Sequence, residues 1–142
     1  KALILDGSYN CTAEMSGEDI PVKMSFKTSA NNYTISMDGE VFSFKADNKY
    51  HNGSDVFLES QNDQTYRARQ TWGGSLKIYE EGICTDKYWS KLKRAWITEY
   101  ACRSSTLIKK KKDGSIRVAM AYRKQVVNRA FIVVSMMSLI CR

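Results

Sequence analysis

The chain has 142 residues, room for one ordinary domain. Hydrophobic residues make up 43% and charged residues 26%, which excludes a disordered tail and a bundle of membrane helices. The net charge of +7 hides an asymmetry: residues 1–84 carry 8 Lys/Arg against 12 Asp/Glu, whereas residues 85–142 carry 14 against 3.

A first half at −4 and a second at +11 mark a change of surface character near Cys84. Two readings follow: two faces of one domain attract each other, or the second half meets an anionic partner. The longest apolar run, Phe131 to Ile140, contains two serines and falls short of the roughly 18 residues of a spanning helix. The start, Lys1-Ala2-Leu3-Ile4, has neither an initiator Met nor signal-peptide character, as expected of a processed chain.

Ser8 to Thr12 opens as a strand and runs into a turn over 15–19. Val22, Met24 and Phe26 then alternate with Lys23, Ser25 and Lys27, the period-2 signature of a half-buried strand. Tyr33, Ile35 and Met37 repeat it, and Phe42, Phe44 and Ala46 repeat it again beyond Asp38-Gly39. Asp-Gly between alternating runs predicts a two-residue hairpin, because a type I′ turn needs positive φ at both central positions. Residues 47–54 form a loop by composition, followed by strands at 55–60, 65–70 and 75–79 separated by turns at 61–64 and 72–74.

After Cys84 the spacing changes. Thr85 or Asp86 supplies a cap, and Trp89, Leu92, Trp96 and Tyr100 recur every three or four residues, with Tyr88 beside them. This predicts an amphipathic basic helix near residues 86–101. A second Asp-Gly, Asp113-Gly114, turns a hairpin with lysines at its tip, and residues 126–140 form a final strand interrupted near Asn128-Arg129. The expected fold is therefore mainly β (α+β). An antiparallel meander closes into a small barrel or sandwich, followed by the helix and a C-terminal three-stranded coda that joins the same sheet. All 142 residues form a single domain, an acidic meander over 1–84 and a basic half over 85–142.

Cys11, Cys84, Cys102 and Cys141 are even in number and include no C-x-x-C pair, and His51 is the sole histidine. A zinc site is thereby disfavoured, and two disulfides in an oxidising compartment are expected. Of three connectivities, Cys11–Cys84 with Cys102–Cys141 matches the charge boundary. Sequons at Asn10, Asn32 and Asn52 are compatible with secretion.

Catalytic inventory is thin. One histidine in a polar loop and carboxylates confined to turns give no acid–base pair, and no phosphate-binding, nucleophile-elbow or metalloprotease motif occurs. No enzyme activity, cofactor or metal is expected. The basic residues are the better lead. Lys109, Lys110, Lys111 and Lys112 with Arg117 form one cluster, and Lys91, Lys93 and Arg94 lie among aromatics on the predicted helix. Such clusters bind phosphate or sulfate without reading sequence, although lysines on an edge strand also block aggregation. Aromatics among cations suit single-stranded nucleic acid or an anionic membrane surface. The helical stripe instead assigns the aromatics to the core, which leaves only the charge.

Residues 8–86 resemble the small periplasmic inhibitors of C-type lysozyme. The resemblance rests on Tyr9-Asn10-Cys11, on Ile20-Pro21-Val22-Lys23-Met24-Ser25-Phe26, on the hairpin Met37-Asp38-Gly39-Glu40-Val41-Phe42 and on Gly82-Ile83-Cys84. It implies a β-barrel with a disulfide between its first and last strands, and an inhibitory loop. That loop falls on residues 62–66, with Asp63, Thr65 and Tyr66 as candidates, but it lacks the family's Ser-Gly pair. The expected function is a non-enzymatic secreted or periplasmic binding protein, an inhibitor or accessory subunit whose partner is another protein. The alternative is a binder of nucleic acid, anionic lipid or polysaccharide through the basic half.

Overall fold

The computed structural model describes residues 3–15, 17–53, 62–85, 87–125 and 130–142. The described residues form twelve strands: β1 (Gly7–Met15), β2 (Glu18–Ser29), β3 (Asn32–Met37), β4 (Glu40–Lys45), β5 (His51–Asn52), β6 (Asn62–Gln70), β7 (Ser75–Cys84), β8 (Tyr88–Ser90), β9 (Ala95–Ile97), β10 (Tyr100–Lys110), β11 (Ile116–Gln125) and β12 (Phe131–Cys141). Ten form one antiparallel sheet in the order β4-β3-β2-β1-β12-β11-β10-β7-β6-β5, and β8 and β9 pair separately.

The sheet's two edges, β4 and β5, are consecutive in the chain, joined only by residues 46–50. A linker that short spans at most about 20 Å, so the sheet must curl until its edges approach, which makes it a half-barrel. Side chains and linker backbone bridge the edges. The Tyr66 hydroxyl accepts from Lys45 N (3.1 Å), Asn48 N donates to Ala68 O (2.8 Å), and the Phe44 and Tyr66 rings meet edge to face. His51 Nε2 lies 2.8 Å from Asp47 Oδ1, and its ring stacks on Tyr66. The bond to His51 holds the Asp47 carboxyl below its ordinary pKa.

The interior draws Met24, Phe26, Ile35, Leu76, Ile78, Ile108, Ile116, Val118 and Leu139 into one cluster. Tyr33 is 1% exposed, donates to Leu3 O (2.8 Å) and accepts from Gln70 Nε2 (2.9 Å), which links β3 to β6 across the gap. Burial raises its pKa above 10.0 by disfavouring the phenolate. The unfolded chain therefore ionises first. The stabilisation is complete below pH about 10 and is lost as pH rises through the folded-state value. Urea midpoints measured with increasing alkalinity should fall more steeply in the wild type than in Tyr33→Phe, which at neutral pH costs about 1 kcal/mol.

The Asp38-Gly39 turn forms as expected, with φ of +49° and +87°. At the second Asp-Gly only Gly114 is left-handed (φ +86°). Lys111 N donates to Ser115 O and Gly114 N to Lys111 O, giving a wider turn than the two-residue form.

Four expectations are corrected. There is no helix among the described residues: β8 and β9 occupy 88–97, with Tyr88 opposite Ile97 and Trp89 opposite Trp96. Cys84 pairs opposite Tyr100 across β7 and β10. The intervening 85–99 must therefore return to its start, whereas a helix of that length would carry the chain about 22 Å away. The disulfides are Cys11–Cys141 and Cys84–Cys102. Three strands separate β1 from β7, a distance of about 19 Å at strand spacing, so Cys11 cannot reach Cys84. The segment expected as a turn over 61–64 is strand from Asn62 onward, which places Thr65 and Tyr66 in β6. Finally, residues 47–54, expected as a loop, contain β5; the three C-terminal strands join the same sheet, as expected, and lie in its middle between β7 and β1. The strand expected at 55–60, the cap at Asp86 and the interruption at 128–129 lie outside the described residues.

Candidate binding surfaces

The β8–β9 hairpin rises where β7 ends and β10 begins. Its underside is anchored: Tyr88 and Ile97 pack on Cys84, Tyr100 and Cys102, and the Lys124 ammonium lies 3.5 Å from the centre of the Tyr88 ring. Because side chains alternate across a strand, Trp89 and Trp96 fall on the other face, 50% and 62% exposed. Their rings pack edge to face, 5.7 Å apart. The turn is Lys91-Leu92-Lys93-Arg94, closed by Lys93 N donating to Ser90 Oγ and by Arg94 at φ +50°. All four of its side chains point into solvent. Of the stripe expected in the core, Tyr100 is buried, whereas Trp89, Leu92 and Trp96 share a surface with cations.

The second basic group is far away. β10 is eleven residues long, so the hairpin and Lys109 are separated by roughly 33 Å. Lys109 faces Arg117 across β10 and β11, and Lys111 and Lys112 occupy the turn, all exposed. Lys110 reaches back toward Ile4 O, at 3.5 Å. Asp113 sits among these cations with its pKa lowered, first by hydrogen bonds from Ser115 (Oγ at 2.6 Å, N at 2.9 Å) and then by Arg142 and Arg117.

A third surface has no counterpart in the sequence reading. On the outer face of the sheet, Arg67, Tyr79, Ser105, Ala121 and Met136 form one cross-strand row, and Arg69, Lys77, Leu107, Ala119, Ser138 and Glu14 form the next. Small residues on β10–β12 make the floor, and Tyr79, Lys77 and Met136 stand above it. The result is a groove of about 530 Å³. Beside it Arg103 and Arg123 face one another, with Arg103 near Glu81 (3.8 Å) and stacked on Phe131 (3.9 Å).

The groove runs to an open strand edge. β1 pairs with β12 only from Ser138 to Cys141, because the β1–β2 hairpin turns back at Gly17. Among the described residues, 131–133 and 135–137 pair only with β11, and Val134 is the extra residue of a bulge between them. This edge carries no charge, and Ile132, Val133, Val134 and Met136 are 41–75% exposed.

Of the loop candidates, Tyr66 is buried in the core and Thr65 faces Glu81, while the side chain of Asp63 lies outside what is described. Inside the sheet, Glu80 is fully buried, accepting from Gln64 Nε2 (3.0 Å) and Ser104 Oγ (3.3 Å). The sequence placed it in a turn. Only the strict inward alternation of β7 (Leu76, Ile78, Glu80, Gly82, Cys84) could have revealed it. Among the described residues no cluster of three or more His, Cys, Asp or Glu is arranged to hold a metal. No protein family, curated protein or solved structure matches the chain.

Proposed function

We propose that this is a non-enzymatic secreted or periplasmic binding protein whose partner contributes an extended segment to the open edge of β12. The two disulfides are consistent with an oxidising extracellular or periplasmic space. The observation that carries the reading is the uncharged apolar edge at 131–137. Proteins normally blunt such an edge with charge, proline, a bulge or a covering element; here one bulge at Val134 bends it, no other described element pairs with it, and the segments on either side remain templates for strand addition. Main-chain hydrogen bonds supply affinity there, and the adjoining groove accepts one apolar side chain. Arg103 and Arg123 favour an acidic residue in the partner segment.

The test is binding of extended peptides, with an acidic residue beside an apolar one, to the wild type and to Val134→Lys/Met136→Lys. The double variant should lose at least tenfold in affinity with the fold intact. Equal binding by both proteins would end the reading. The lysozyme-inhibitor resemblance names a protein to try first: stoichiometric loss of C-type lysozyme activity supports inhibition, and undiminished lysis removes it.

A second reading, an anionic ligand held by the basic half, is favoured by the exposed pair Lys109 and Arg117 beside Lys111 and Lys112. Its mark is an affinity that falls linearly with the logarithm of salt concentration, whereas strand addition tolerates salt.

A further inference from the structure

We propose that the β8–β9 hairpin is a membrane-docking finger that seats Leu92, Trp89 and Trp96 in the headgroup layer of an anionic lipid bilayer. The inference is independent of strand addition at β12, because it uses different residues on a different element.

The hairpin is built to hold its shape. Its base is tied by Cys84–Cys102, and its underside by Tyr88 and Ile97 on that cluster, with Tyr88 and Tyr100 edge to face at 5.4 Å. A short hairpin of this kind is marginal alone, and this anchoring lets it stand with its other face bare. What it exposes is apolar: two tryptophans at half exposure or more, and Leu92 at 72% on the tip. Around them lie Lys87, Lys91, Lys93 and Arg94, all exposed, with Glu99 the one acid described between 87 and 101.

The composition selects the partner. Tryptophan partitions to the boundary between headgroups and acyl chains, and long cationic side chains beside it reach the phosphates while their stems stay apolar. Single-stranded nucleic acid would use flat, separately accessible rings, but here the indoles pack against each other at 72°. Leu92 gains nothing from a base and gains directly from an acyl boundary. A protein pocket is the poorer match, since interface cores are depleted in lysine. The surrounding cations complement anionic headgroups, each one near the surface strengthening binding roughly fivefold at low salt.

The test uses the full chain carrying Trp72→Phe. Trp72 lies in the β6–β7 turn at the far end of β7, so the remaining tryptophan fluorescence, excited selectively over tyrosine, comes from Trp89 and Trp96 alone. The protein is titrated with phosphatidylcholine vesicles, with and without phosphatidylglycerol. The expected result is a blue shift and quenching by shallow brominated lipid, much stronger with phosphatidylglycerol and weakened by salt. Lys91→Gln/Lys93→Gln/Arg94→Gln should lower partitioning roughly 100-fold at low salt, and Leu92→Glu should abolish the blue shift. Both variants change only exposed turn side chains, and the exciton couplet of the paired indoles in circular dichroism reports that the hairpin is intact. Absence of vesicle binding at low salt overturns the proposal. So does binding that survives Leu92→Glu, or a response to single-stranded oligonucleotide with none to vesicles.

Discussion

Removing the Cys11–Cys141 bond is expected to destabilise the protein more than removing Cys84–Cys102. The first closes a loop of 130 residues and the second a loop of 18. Loop-closure entropy in the unfolded chain then gives about 5 kcal/mol for the long loop and about 3 kcal/mol for the short one. The native state points the same way. Cys11 and Cys141 are buried in the main cluster where β1 meets β12, and this junction joins the β1–β4 strands to the central strands. Cys84–Cys102 lies in the smaller cluster beneath the β8–β9 hairpin. Urea denaturation of Cys11→Ala/Cys141→Ala and Cys84→Ala/Cys102→Ala checks this. A larger loss in the Cys84/Cys102 variant would mean that the smaller cluster, not the β1–β12 seam, limits stability.

Glu80→Ala is expected to cost about 3 kcal/mol. Glu80 is fully buried in an inward row with Tyr66, Ser104 and Tyr122, between the main core and the disulfide cluster. Alanine leaves a cavity there and takes the acceptor from the buried Ser104 hydroxyl and from the half-buried Gln64 amide. Glu80→Gln keeps the shape and one acceptor oxygen, so its cost should be about 1 kcal/mol. Urea midpoints of the two variants at constant m separate the cases. An alanine variant as stable as the wild type would show that the carboxylate does not hold the fold, and would direct attention to a functional role for it.

The strands that alternate strictly were legible in the sequence. Val22 to Phe26, Tyr33 to Met37 and Ile116 to Tyr122 each give a period-2 pattern that only a half-buried strand satisfies, and Asp38-Gly39 dictates its own turn. In the 86–101 segment Trp89, Leu92, Trp96 and Tyr100 fit a helical stripe, while Tyr88-Trp89 and Trp96-Ile97 fit a hairpin equally well. Periodicity in so short a segment does not separate the two. What separates them is the juxtaposition of Cys84 with Tyr100 and Cys102, a contact across the sheet. The cysteine pairing and the helix are linked: a Cys84–Cys102 bond excludes, by length, a helix of four turns between the two residues.

Of the candidate surfaces, the lysine cluster and the basic aromatic segment were named by composition, since charge and residue type are properties of the chain itself. The groove and the open edge of β12 were not. Each depends on neighbours distant in sequence: Tyr79 beside Ser105 beside Ala121 beside Met136, and a β1 that stops four residues into its pairing with β12.

By itself the sequence determined local conformation and inventory: an all-antiparallel alternation in most of the chain, a basic second half, two disulfides' worth of cysteine and few catalytic groups. Those follow from interactions between near neighbours. The tertiary structure alone decided strand order, disulfide pairing, the burial of Glu80 and the exposure of Trp89 and Trp96. β10–β12 insert between β7 and β1, and a strand's alternation says which residues share a face without saying which strand lies next to it.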